Sequence, residues 1–453
     1  MTTHLLRRPF AGRTDLGPGA VVLGVGTAAL AAGAAVTVGP AALGIPAALA
    51  AGLFLIRQPL ALLTLYVYVG LFKGEAIVKA LPFDVTGALG VLLTGVCFFT
   101  WASGRARRIP VTLAAPVAAI GVMLAISLDW TPSPVYGGEK ALKFLTLTLL
   151  ATVAPFFLIG EQRDLRRYFW WTIAIALVAA ILTLVNPPAE AGRLTIGSAS
   201  NTIGVSHLLC TSALILLVGA LTDLHSARRW AVPAGLALIG IAAAVGSRGP
   251  LLSLALALAA TGAVWLARVP RKVLPVLLVV GIGVALLPFV SLPESSSQRL
   301  GEAVHDPVAS LRADARYTTF GQAVHLIEQH PLLGIGAGGF QSVGTLAHPP
   351  EDYPHNMLLE VGSELGIAAA IVLAASIVAV LVALWRAAWR LPPGPSCQLL
   401  YVVIAVFLFN FFAAQVSGDL NENRTFWGTF GLAWLIAQDG VPAPRRGDST
   451  ALG

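Results

Sequence analysis

An all-α integral membrane protein of 12–14 transmembrane helices, with one large structured outer loop between late spans, is the fold class this sequence predicts. Three observations carry the prediction. Apolar residues make up 57% of the 453 residues and charged residues only 11%, with a mean hydropathy of +0.80; a soluble chain carries about 25% charged residues. Apolar runs long enough to cross a bilayer, about 20 residues each, recur along most of the chain. The basic residues fall in short clusters between those runs, as they do where a membrane protein marks its cytoplasmic side. The net charge of +7 is therefore not a nucleic-acid footprint.

In order, the candidate spans are 18–36, 38–56, 59–72, 84–102, 111–128, 141–160, 168–186, 203–221, 231–246, 250–268, 273–290, 365–385, 398–416 and 424–438. The third, ninth and last are short, and little more than Gly39-Pro40 separates the first two, so twelve is the lower count. Arg7, Arg8 and Arg13 ahead of an Ala-rich run resemble a signal peptide, but a second apolar run follows at once and makes a retained anchor the better reading. Residues 1–290 form an N-terminal bundle of about 11 spans, 291–354 a large extracytoplasmic loop, 355–440 a C-terminal bundle of about 3 spans, and 441–453 a cytoplasmic tail. Cys97, Cys210 and Cys397 lie apart and suggest neither a disulfide framework nor a metal knuckle.

Charge sets the orientation. With the N-terminus inside, 19 of the 29 basic residues are cytoplasmic, among them Arg57, Arg105, Arg163, Arg228, Arg271 and Arg386. Both termini are then cytoplasmic.

The 64 residues of 291–354 are the one long connection, and loops of that length are usually functional or disordered. Tyr317, Phe320, Val324 and Ile327 recur at helical spacing, which predicts an amphipathic helix from Ala315 to Gln329 able to lie on the membrane surface. His330-Pro331 stops it, and the glycine-rich Gly334–Gly339 turns the chain back.

Five of the eight histidines lie in or at the end of this loop, but their spacing fits no zinc motif. Tyr353-Pro354-His355-Asn356 opens the helix that becomes the next span, with proline in its first turn. A histidine at a helix N-terminus is disfavoured as imidazolium by the dipole and can act as a general base, although for the residue taken alone capping or packing at the interface is the better reading. Glu360 and Glu364 point about 140° and 180° away from His355 and read as interfacial helix–helix hydrogen bonding. Arg248, in Gly246-Ser247-Arg248-Gly249-Pro250, sits between two spans with almost no loop; Arg316 opens the amphipathic helix; Arg193 precedes Asn201. An ionisable group at membrane depth is a functional candidate, and arginine's planar fork suits phosphate oxygens. For Arg193, headgroup anchoring stands equal to phosphate binding. Lys140 and Lys143, at an outer helix start, read as snorkelling to the interface. Glu75, Asp84 and Asp129 lack the Asp-x-Asp of many metal-dependent glycosyltransferases.

The stretch from Arg316 through Ala370 resembles the signature region of the O-antigen ligase and polymerase superfamily. It shows an arginine ahead of a helix, then His330-Pro331-Leu332-Leu333-Gly334-Ile335-Gly336-Ala337-Gly338-Gly339-Phe340, the pair His355-Asn356, and Glu364-Leu365-Gly366. Upstream, Ser247-Arg248-Gly249 looks like that family's Ser-Arg-Gly at an outer helix junction. The resemblance implies an inverting glycosyltransferase of the bacterial cytoplasmic membrane that needs no metal or other cofactor. It would move a glycan from a polyprenyl-diphosphate donor to a hydroxyl on a glycan, lipid or protein at the outer face. It further implies His355 as general base, Arg316 and Arg248 as catalytic groups on the diphosphate, and Arg193, Asn356, Gly336 and Gly338 as substrate-binding residues. A Wzy-type polymerase and a transporter of an anion or lipid-linked glycan remain as alternatives.

Overall fold

The computed structural model describes residues 50–73, 78, 83–185, 194, 196, 202–221, 228–266, 315–343, 353–392, 394–421 and 423–439. The chain divides into two units, Met1–Pro59 and Leu60–Gly453. In the first, the described residues form one apolar helix, α1 (Ala50–Arg57).

The second unit holds the functional residues, and its described elements are all helical. They run α2 (Pro59–Tyr68), α3 (Val85–Ala102), α4 (Val111–Ile126), α5 (Pro134–Leu158, with a π-helical stretch at Phe144–Thr148), α6 (Gln162–Val185), α7 (Thr202–Leu221) and α8 (Arg228–Ala244). Then come α9 (Arg248–Leu266), α10 (Ala315–Gln329), α11 (Met357–Leu365), α12 (Ile367–Arg390), α13 (Pro395–Ala414) and α14 (Arg424–Asp439). Among the described residues, seven helices are long and apolar enough to cross a bilayer, namely α3 to α7, α12 and α13. The chain is an all-α, multi-pass membrane protein. The spans expected at 18–36 and 273–290 lie outside the described residues.

Helix starts follow local chemistry. Asp84 caps α3 by accepting from the Gly87 N–H at 2.8 Å, and it also pairs with Lys73 at 2.7 Å, which gives this acid a structural role. Prolines 134 and 395 occupy first turns, where a missing N–H costs nothing. Burial separates the centre of the bundle from its rim. The most apolar windows of α7 and α13 are 89% and 78% buried, whereas those of α3 and α12 are 28% buried, with Val91, Phe99, Ile371 and Val378 turned outward as lipid-facing residues would be. α7 packs on α6, α8, α9 and α13. α5 packs on α14 so closely that a Cβ at Gly431 would strike the Thr152 carbonyl, the small-residue packing of membrane helices.

Three expectations are corrected. The helix expected from 141 begins at Pro134, because Gly137 and Gly138 do not interrupt a helix buttressed by tertiary contacts; Lys140 therefore lies inside it. The helix after His355 is not the start of the next span. α11 ends after nine residues and α12 begins beyond Gly366, whose φ of 90° breaks the run. Proline 354 precedes the N-cap, Asn356, by two residues and is outside the first turn.

Candidate active site

The glycine-rich turn after α10 is clamped from two sides. The Ile335 and Gly336 N–H groups donate to the Ser363 and Glu364 carbonyls, both at 2.9 Å. Ala337 donates to Ser127 Oγ at 3.0 Å, and its carbonyl accepts from Thr131 Oγ1 at 2.7 Å. Gly338 donates to the Glu364 carboxylate at 3.0 Å. Its φ of 67° suits glycine, and a Cβ would lie 2.6 Å from the Tyr136 ring. Gly336 and Gly338 are buried and their N–H groups are engaged within the protein, so their observed work is to seat the turn.

α10 buries Thr319, Ala323 and Leu326 on one face, which meets this turn. Ala323, Leu326, Ile335 and Phe340 form one apolar cluster, with Leu359 of α11 packed on it. Of the apolar stripe read from the sequence, Tyr317 and Val324 are exposed, at 59% and 44%. The expected stripe is thus rotated, because the smaller Ala323 and Thr319 make the close contact. Ile327 meets Gly362, where a Cβ would come within 2.9 Å. The matched contacts run the same way along both helices, so the start of α10, with Arg316, lies at the same end as His355-Asn356.

Beneath the turn lies a buried charge cluster. Lys140 of α5, 1% exposed, pairs with Glu364 at 2.6 Å and with Glu360. The lysine therefore does not snorkel, and the two carboxylates are its partners, not general interfacial hydrogen bonders. Burial pushes Glu360 up to about 8, against the pull of the Lys140 ammonium and with help from Asp419 and Glu364. Glu364 is raised by burial for the same reason. Both carboxylates therefore hold a proton more tightly than free glutamate does. Sequence reading places Lys140 outside the helix because hydropathy dips there; the signal available was an ionisable residue one helical turn from an apolar run.

His355 sits one residue ahead of the Asn356 cap. Its φ of 55° is the only left-handed value at a non-glycine position among the described residues. Such a conformation is costly for a ring-bearing residue and recurs at functional sites. The ring meets Tyr353 edge-on, centroids 4.7 Å apart. Asn356 Oδ1 accepts from the Leu359 N–H at 2.9 Å, which caps α11, while its Nδ2 donates to the Gln415 carbonyl at 3.1 Å. Arg248 is the first residue of α9, set there by a tight turn whose Gly246 has a φ of 80°. A Cβ on the neighbouring Gly249 would lie 3.2 Å from Val416 Cγ2. The segments bearing His355 and Arg248 therefore rest on successive residues, Gln415 and Val416, of the connection between α13 and α14. His355, Arg248 and Arg316 all stand at helix N-termini, the ends that favour anions. Arg193 lies outside the described residues.

The family model described as "Wzy_C: O-Antigen ligase" matches residues 233–374, a segment that contains Arg248, Arg316, the glycine-rich turn, His355 and Asn356. No curated protein matches the chain. Over residues 233–374 the chain is O-antigen ligase-like, as the resemblance in its signature residues implies.

Proposed function

We propose that this protein is an inverting glycosyltransferase that moves a glycan from a polyprenyl-diphosphate donor to a hydroxyl acceptor at the outer face of the bacterial cytoplasmic membrane. The observation that carries the reading is the meeting of the His355 and Arg248 segments on Gln415 and Val416, within a chain whose 233–374 segment is O-antigen ligase-like. The distribution of basic residues supports the orientation, since 19 of 29 fall on the opposite side.

In this reading the His355 imidazole takes the proton of the acceptor hydroxyl as its oxygen attacks the anomeric carbon. The bond from that carbon to the diphosphate oxygen breaks, its electron pair leaves with the polyprenyl diphosphate, and the anomeric configuration inverts. Arg248 and Arg316, with Arg193, bind the diphosphate and offset the negative charge that grows on the leaving oxygen. Asn356 holds His355 in place through its two hydrogen bonds. General-base catalysis of this kind contributes about 10²–10⁴-fold.

Purified protein in proteoliposomes, given lipid-diphosphate glycan and acceptor on one face, tests the class. The expected result is a new glycosidic bond and released polyprenyl diphosphate. Glycan or anion crossing the bilayer with no bond formed would instead identify a transporter.

A further inference from the structure

We propose that a cavity at the ends of α2, α7 and α14 is a second site, one that binds a phosphate ester. Its volume is about 240 Å³, below the roughly 300–1,000 Å³ of pockets for drug-sized ligands. That suits a compact headgroup better than an oligosaccharide.

The polar wall selects for an oxyanion. Arg424, first residue of α14, lines it with the guanidinium held 5.8 Å over the Tyr66 ring and donating to the Tyr66 carbonyl at 3.4 Å. These contacts fix a planar cation at the cavity wall. Thr425 follows on the first turn of α14, a helix of 16 residues, where N–H groups and dipole favour negative charge. His207 of α7 also lines the cavity. It is only 8% exposed, its ring is fixed edge-on to Phe409, and its Nε2 has no hydrogen-bond partner among the described residues. A buried imidazole nitrogen left in this way is costly unless a ligand supplies the partner. Among the described residues no carboxylate lines the cavity. Asp419 acts instead on Lys140 and Glu360, and Glu422, two positions before Arg424, lies outside the described residues. Val67, Leu71 and Ile203 supply an apolar wall for the substituent the phosphate carries.

The cavity shares a support with the candidate active site. Gln415 accepts from Asn356, Val416 packs on Gly249, and Ser417 and Gly418 line the cavity. Asn423 ties this connection down by donating to the Ser417 and Asp419 carbonyls. Resting on the function proposed above, the site is where an acceptor that carries its own phosphate is anchored.

The test measures binding of glycerol 3-phosphate and of farnesyl phosphate to the full chain in uncharged detergent, by calorimetry and by the rise in Tm that binding produces. Wild type and Arg248→Gln are expected to bind, and Arg424→Gln to bind at least tenfold more weakly, with only partial rescue by Arg424→Lys. Binding of both compounds would assign recognition to the phosphate alone; binding of farnesyl phosphate only would add the apolar wall. Should Arg424→Gln fail to fold, Thr425→Val serves in its place, with a smaller expected loss. Neither probe binding wild type would overturn the inference, as would binding that survives Arg424→Gln but disappears in Arg248→Gln. Persistence of binding in His355→Asn while transfer is lost would separate this site from the catalytic reading.

Discussion

At position 355 a histidine holds a backbone conformation that glycine or asparagine would hold at less cost. Replacement therefore separates stability from chemistry. His355→Gly is expected to raise stability by up to about 1 kcal/mol, the usual size of such backbone effects, in a denaturation series on purified protein, and to slow transfer. The buried cluster makes the opposite trade. Lys140→Met leaves Glu360 and Glu364 without their cation, a change that costs about 3–5 kcal/mol in buried pairs. The pH dependence follows from the carboxylates. Because the folded protein holds a Glu360 proton up to about 8 and the unfolded chain releases it near 4.5, the native state binds more protons between those values, and stability falls as pH rises through that window. Melting scans from pH 5 to 8 should show this decline in wild type and a flatter profile in Glu360→Gln; an unchanged slope would contradict the assignment. His355 and Arg248 can be singled out from the sequence because each is an ionisable group beside an apolar run, and Arg316 because it opens the amphipathic helix. Lys140 carries the same local signal, but its pairing is not legible, since its partners lie 220 and 224 positions away and nothing local announces them.

The elements show where periodicity succeeds and where it misleads. The helix from Ala315 to Gln329 is readable to the residue, but its buried face is not, because the tight contacts fall on Ala323 and Thr319 rather than on the larger apolar side chains. Position 366 is similar: an apolar run does not reveal a helix broken there, whereas the left-handed glycine, with its Cβ direction closed off by the Leu332 carbonyl, requires it. Asn356 is the joint between α11 and the α13–α14 connection. Asn356→Ala is expected to cost about 0.5–2 kcal/mol through the lost cap, and to reduce transfer further than the stability loss explains, since His355 loses its link to Gln415. Asn356→Asp keeps the cap acceptor but not the donor to Gln415; it should recover stability while transfer stays low. Recovery of both would remove the positioning role.

Across the whole molecule, composition and hydropathy suffice for the class of fold, and charge asymmetry proposes an orientation that can be checked directly. Cys97, Cys210 and Cys397 are all buried, so cysteines introduced at exposed positions should label against a quiet background. Glu328→Cys is expected to react with an impermeant maleimide in intact cells, and Arg163→Cys only after permeabilisation. The reverse pattern would invert the topology. What sequence cannot supply is the meeting of distant segments: α9, α10, α11 and α14 bring their N-termini to a region that only the packed bundle defines, and the connection from Gln415 to Asn423 that supports two of them has no motif of its own.

In the proposed reaction His355 removes the acceptor proton. This role is tested most directly by single-turnover transfer from a lipid-diphosphate glycan by purified His355→Asn, a variant that fits the left-handed backbone. The expected rate is lower by about 10²–10⁴-fold, with donor affinity within a few-fold of wild type. Transfer at the wild-type rate by a folded His355→Asn protein would contradict it.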